Sequence, residues 1–253
     1  PTLFDTAGTQ VVHPLFPVAA EWQLITAVKA SGTGLSTDEA RRGIHVGHDL
    51  VLYRALPASA EVHLEVRTVA LDRRRAGATQ TIEFTATSAD GPLWSTRMTS
   101  LYLGVELDGE PSEVESPWPA PPTVAAPGGE AVASTTTNVR PVDAHVYSEC
   151  ARIWNPIHTD IVAALRAGLD APILHGTAIL ARAVSLVARM AAVDLAAIRR
   201  VGTQFSAQVA LDTTIEARLL SRAAHTLTFD MLLADGRAAL REAWLSTATV
   251  TPW

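Results

Sequence analysis

Between residues 61 and 69, Glu61, His63, Glu65 and Arg67 alternate with Val62, Leu64 and Val66, the period of two that a sheet with one wet face requires. The same alternation returns less cleanly at 77–87, 93–104, 213–220, 225–233 and 241–250, so strands are predicted in all six segments. Asp90-Gly91 and Asp235-Gly236 stand between consecutive segments and predict hairpins through type I′ turns, which need positive φ. Ahead of each group of strands lies one strongly apolar stretch of helical character, at 18–30 and at 177–192. The second carries Ile179, Leu180, Val184, Leu186, Val187 and Met190 nearly all round its circumference, which predicts a buried helix. A helix wrapped by a curved antiparallel sheet fits each group. An α+β sandwich whose helix merely covers one sheet face fits the same periodicity.

The two groups read as copies of one unit. Thr81-Ile82-Glu83-Phe84 followed by Ala89-Asp90-Gly91 matches Thr226-Leu227-Thr228-Phe229 followed by Ala234-Asp235-Gly236, without gaps, at an offset of 145 residues. Upstream, Val46-Gly47, Leu56 and Glu61 match Val201-Gly202, Leu211 and Glu216 at an offset of 155, and each Asp-Gly turn leads on to a tryptophan, Trp94 or Trp244. Between the copies, Pro111, Pro117, Pro119, Pro121, Pro122 and Pro127 with Gly128 and Gly129 form a segment that neither helix nor sheet tolerates. The expected organisation is therefore an N-terminal half at 1–107, a Pro-rich linker at 108–133 and a C-terminal half at 134–253.

Composition narrows the function classes. Hydrophobic residues make up 48% and charged residues 18% of the 253 positions, enough for each half to close a core without a disulfide or a structural metal. Net charge is −6 and Arg73-Arg74-Arg75 is the one basic triplet, which argues against a nucleic-acid partner. No apolar run approaches the ~20 residues that span a bilayer, and the first residues lack the order of a secretory signal, so a cytoplasmic protein without a membrane partner is expected. The single cysteine, Cys150, reads as a small buried filler.

The segment from Tyr147 to Thr177 carries the candidate chemistry. Asn155-Pro156-Ile157-His158-Thr159-Asp160 is followed, after a short helix, by Leu174-His175-Gly176. Here the sequence resembles the MaoC-like family, which includes the (R)-specific enoyl-CoA hydratases, through its Asn-Pro-x-His-x-Asp core and its Leu-His-Gly element. The resemblance covers residues 145–250 and implies a double hotdog of class α+β, each half a long helix wrapped by a curved antiparallel sheet, the first half being degenerate. It implies an acyl-CoA or acyl-carrier-protein thioester as substrate, reversible addition of water across a 2,3 double bond, and no metal or redox cofactor. Further dimerisation to a homodimer is left open.

Where the family carries an aspartate, two positions before the asparagine, this chain has Ile153, and Arg152 replaces the preceding glycine. An isoleucine neither accepts a proton nor orients water, so a substitute carboxylate is sought in Glu149, Asp49 or Asp160. His158 can exchange a proton near neutral pH, and the N–H of Gly176 at a helix start can stabilise charge on a thioester oxygen, glycine letting the substrate approach the backbone. His158, Asn155 and Gly176 are thus the expected catalytic residues, with Tyr147, His175, Thr177 and Ile153 lining the substrate site. Asn155 also suits a turn, Asp160 suits the cap of a helix ended by Gly168, and His175 suits orientation of its loop. His45 and His48 read by default as exposed strand-edge residues, with a role as acid–base partners from the first half as the alternative that the resemblance implies. A hotdog thioesterase and a non-catalytic thioester-binding or partner subunit are the rival readings.

Overall fold

The computed structural model describes residues 12–30, 34–115, 117–123 and 130–252, with 26–30 by their backbone alone. Helices α1 (Pro17–Ala30) and α2 (Thr37–Arg41) precede strands β1 (Gly43–Leu52), β2 (His63–Arg74), β3 (Gly77–Ser88) and β4 (Gly91–Leu103), and a two-residue β5 (Ser112–Glu113) follows. The second half runs β6 (Ala133–Val139), α3 (Pro141–Ala151), α4 (Ile161–Arg166), α5 (Gly176–Met190), β7 (Arg200–Phe205), β8 (Thr213–Ala223), β9 (Thr226–Leu233) and β10 (Ala238–Ser246). Pro127, Gly128 and Gly129 of the expected linker lie outside the described residues.

All ten strands join one antiparallel sheet in the order β5-β2-β3-β4-β1-β7-β10-β9-β8-β6. The order is palindromic about β1 and β7, as two copies related by a twofold axis require. The register places that axis: His48 lies directly opposite Thr203, its counterpart at the 155-residue offset, with Gly47 opposite Gln204 and Asp49 opposite Gly202. Each half thereby covers the open edge that it would present alone.

Alternation along β1 then assigns two faces. Leu50, Leu52 and His48 turn inward beneath the helices, whereas Asp49 turns outward, where Arg200 Nη2 donates to it at 2.6 Å and Trp118 Nε1 at 2.8 Å. Helix α5 lies against the inner face with Ile179, Leu180, Val184 and Val187 buried, each contributing roughly 1.5–3 kcal/mol by leaving water. Its circumference is not apolar all round: Arg182 pairs with Asp143 at 2.6 Å and Ser185 donates to the Ala181 carbonyl at 2.8 Å.

Several sequence expectations need correction. Both hairpins form at Asp90-Gly91 and Asp235-Gly236, yet only the glycines have positive φ, 102° and 82°, so neither is the type I′ turn, which needs two such residues. The tryptophans after the turns are not counterparts. Trp244 faces Gly202, but the matching Gly47 faces Thr99, while Trp94 faces Leu52 in the core. Cys150 is exposed on α3 rather than buried. His48 is buried and His45 half-buried, because β1 is central in the fused sheet and not an edge.

Candidate active site

Helix α3 ends where the chain must reverse, and Arg152 takes the left-handed conformation there, φ 54°, with its N–H and that of Ile153 both closing on the Ser148 carbonyl. Glycine meets this demand most readily, which gives a physical reason for glycine at that position and marks arginine as the strained alternative. The turn aims the Ile153 side chain into the core, 3% exposed. Asn155 then caps a 3₁₀ turn over Pro156–His158, its Oδ1 accepting from Ile157 N, and Asp160 caps α4 by accepting from Ala163 N at 2.8 Å. Gly168, φ 77°, ends that helical segment.

These two caps swing His158 under the loop that leads into α5. Its Nδ1 lies 2.8 Å from the Ile173 carbonyl, and since a carbonyl only accepts, Nδ1 carries the proton and Nε2 keeps its lone pair. Nε2 has no hydrogen-bond partner among the described residues. The His158 ring stacks on His175 with centroids 3.6 Å apart and planes at 24°. His175 is fixed from behind: its Nε2 donates to the Ile153 carbonyl and the Ser148 hydroxyl, both at 3.3 Å, which leaves Nδ1 buried and unpartnered.

Burial holds both imidazoles neutral. Desolvation, then the neighbouring His158, brings the His175 pKa down to about 3; desolvation also lowers that of His158, partly offset by the Ile173 carbonyl. Tyr147 on α3 donates its hydroxyl to Thr177 Oγ1 at 2.9 Å, lies 5.0 Å from the His175 ring, and is raised to about 12 by burial. Tyr147 and Thr177 thus brace the start of α5.

At that start the amides of Gly176 and Thr177 have no acceptor among the described residues, because the first intrahelical bonds run from Ala178 and Ile179 to the His175 carbonyl. The matching helix α1 offers nothing similar, since Pro17 has no N–H and Val18 N donates to the Leu15 carbonyl. Gly176 is glycine for a reason other than substrate approach alone. A Cβ there would sit 3.1 Å from ring carbons of Phe205. Phe205 in turn lies 4.6 Å from the His45 ring, so the first half reaches the site through β1.

Three sequence-proposed carboxylates are elsewhere. Asp49 is on the outer face, Asp160 is occupied as a cap, and Glu149 is exposed and accepts from Trp154 Nε1 at 3.2 Å. Phe205, Ser148 and the Ile173 carbonyl were missed, as each acts through a contact that no local pattern announces. Glu21 was also missed. It is buried, accepts from Trp94 Nε1 and Thr96 Oγ1, and burial pushes its pKa up to about 7; its sequence signal was an acid inside an apolar helix.

A cleft of about 610 Å³ opens instead on the outer face, between the sheet and Trp118, but its charged groups are already paired, Arg97 with Glu83 and Gln204 with Glu242. Among the described residues, no group of three or more His, Cys, Asp or Glu converges as a metal site requires. No helix among them is long and apolar enough to cross a membrane.

Two helix-and-sheet halves fused through β1 and β7 define an α+β double hotdog protein. Residues 122–228 match the MaoC like domain family, so this segment of the chain is a MaoC-like domain. The chain is similar to a MaoC-like dehydratase from Phytophthora capsici, with 16% identity, 98% of this chain and 87% of that one covered, and a TM-score of 0.82. It is similar to HtdX of Mycobacterium tuberculosis, with 18% identity, 94% and 88% covered and a TM-score of 0.71. A double-hotdog protein essential for survival of the same bacterium during infection aligns at 14% identity, 93% and 81% covered and a TM-score of 0.60. At these identities the likeness is one of fold. Comparison with curated protein sequences gave no match.

Proposed function

We propose that the chain is a MaoC-like lyase that hydrates 2-enoyl thioesters, or dehydrates 3-hydroxyacyl thioesters, on coenzyme A or a carrier protein. The observation that carries the reading is the neutral His158, its Nδ1 proton committed to Ile173 and its Nε2 lone pair available, stacked against the residue that precedes two unpaired helix amides. In the dehydration direction Nε2 takes the proton from C2 while the thioester oxygen gains charge and is met by the Gly176 N–H. The imidazolium then returns that proton to the C3 hydroxyl, the C3–O bond breaks, and water leaves as the 2,3 double bond forms. Hydration is the reverse. One imidazole serves as base and then as acid, so no carboxylate at position 153 is needed. Tyr147 and Thr177 hold the helix start in place, His175 supports the His158 ring, and the first half contributes Phe205's neighbour His45 to the wall around the acyl group.

The test is turnover of 2-enoyl and 3-hydroxyacyl thioesters across chain lengths by purified protein and by His158→Gln, which can keep the bond to Ile173. We expect wild-type turnover and a loss of about 10²- to 10⁴-fold in kcat/KM for the variant, at unchanged melting temperature. No turnover by the wild type at any chain length overturns the reading, and release of free thiol instead identifies a thioesterase.

A further inference from the structure

The inner face of β1 carries a group that the proposed chemistry does not use. His48 is 4% exposed, and neither of its ring nitrogens has a hydrogen-bond partner. A neutral imidazole offers one donor and one acceptor, and leaving both buried and unmet is costly. The same face accommodates leucine two residues on, at Leu50, so an apolar side chain suits this surface.

His48 is also connected to the candidate site. Its ring meets His45 edge-on at 5.5 Å, His45 meets Phe205 at 4.6 Å, and Phe205 abuts Gly176. The row is held in place, since His45 Nε2 donates to the Gly47 carbonyl at 2.9 Å across the bulge between His45 and Gly47. Burial alone lowers the His48 pKa to about 4, so the ring enters any contact neutral, able to donate from one nitrogen and accept at the other.

We propose that His48 is a specificity-determining residue that hydrogen-bonds an oxygen on the acyl group, several carbons from the thioester carbonyl. The substrate class is then an oxygenated acyl thioester, bearing a distal hydroxyl or keto group, and not a plain alkyl one. The inference rests on the proposed docking of the carbonyl at the start of α5, from which the acyl group runs along Phe205 and His45 toward His48. Side chains sealing His48 rearrange as the acyl group enters, the ordinary scale of change at a binding surface. A site that expects a hydrogen bond discriminates strongly against a ligand that lacks it, because its buried polar groups stay unpaired.

The experiment uses a matched pair of 2-enoyl-CoA thioesters of equal length, one with a plain tail and one with a distal hydroxyl or keto group, and the corresponding saturated acyl-CoA pair for calorimetric binding. Wild type should favour the oxygenated member by about tenfold in kcat/KM and in Kd. His48→Leu should lose that preference while keeping or raising the melting temperature, and His48→Gln should retain part of it. Equal or better use of the plain member by wild type, a preference that survives His48→Leu, or binding of neither saturated ligand overturns the proposal. Were turnover absent while the binding preference and its dependence on His48 held, the hydratase reading would fall and this one would stand.

Discussion

Replacing Gly176 with alanine probes the packing of the α5 start against Phe205, the ring on which His45 of the first half rests. The added Cβ meets Phe205 Cδ1 and Cε1 at 3.1 Å and Cγ at 3.6 Å, where carbon atoms ordinarily settle about 3.5–4.0 Å apart. The ring must retreat by a few tenths of an ångström, and His45 stands behind it at 4.6 Å. Overpacking of this kind costs roughly 1–3 kcal/mol. Alanine recovers at most about 1 kcal/mol of helix propensity, and less at the first position of a helix. A net loss of about 1–2 kcal/mol is expected, which for a chain of this size lowers Tm by about 2–8 °C. The amide is untouched, so any accompanying loss of thioester turnover comes from displacement of the ring. Phe205→Leu removes the obstructing atoms, and in that background Gly176→Ala should be neutral in thermal unfolding and should recover turnover. If Gly176→Ala is as stable as wild type, or if the double variant shows no coupling, the ring does not dictate glycine here.

The two glycines beside the axis should respond unequally to alanine. A Cβ at Gly202 falls 2.5 Å from the Trp244 indole, which Arg200 covers at 4.8 Å, whereas one at Gly47 lies 3.4 Å from Thr99. In urea unfolding, Gly202→Ala should lose about 3 kcal/mol and Gly47→Ala less than about 1; equal losses contradict the assignment. Asp49→Ala leaves the buried Arg200 guanidinium without a counter-charge, held by the Pro119 and Ala120 carbonyls and the Trp244 ring, and should cost about 3–5 kcal/mol, with a loss under about 1 refuting a tie between halves. Stability should also fall on acidification. His13 and His48 are lowered to about 4 and His175 to about 3, so below about pH 6.5 the unfolded chain takes up protons that the folded one refuses. Glu21, raised to about 7, works in the opposite sense, since its folded form holds a proton that the unfolded chain sheds above about pH 4.5. Three histidines against one glutamate leave a net slope on the order of 2 kcal/mol per pH unit near pH 5.5, and a Tm that stays flat or rises from pH 7 to 5 excludes it.

Local physics made much of the molecule legible in the sequence. Period-two alternation marked β2, β3 and β4 and their partners β8, β9 and β10, the Asp-Gly pairs marked two hairpins, and Asp160 with Gly168 bracketed a helix, because each depends on residues a few positions apart. Asn155, His158 and Gly176 stood out through the resemblance of Asn-Pro-x-His-x-Asp and Leu-His-Gly to the MaoC-like family, a match of short motifs at a given separation. Strands β1 and β7 did not, since their pattern is broken by Gly47, Gly202 and a bulge, and their role comes from pairing with each other across some 150 residues of chain. Only that pairing turned His45 and His48 from edge residues into interior ones and sent Asp49 to the far face. The repeat announced two copies; where they meet was decided by which edges could exclude water and satisfy one another's backbone. The stacking of His158 on His175, and the ring that crowds a side chain at position 176, likewise arise from distant segments packed at fixed distances, which no local periodicity encodes.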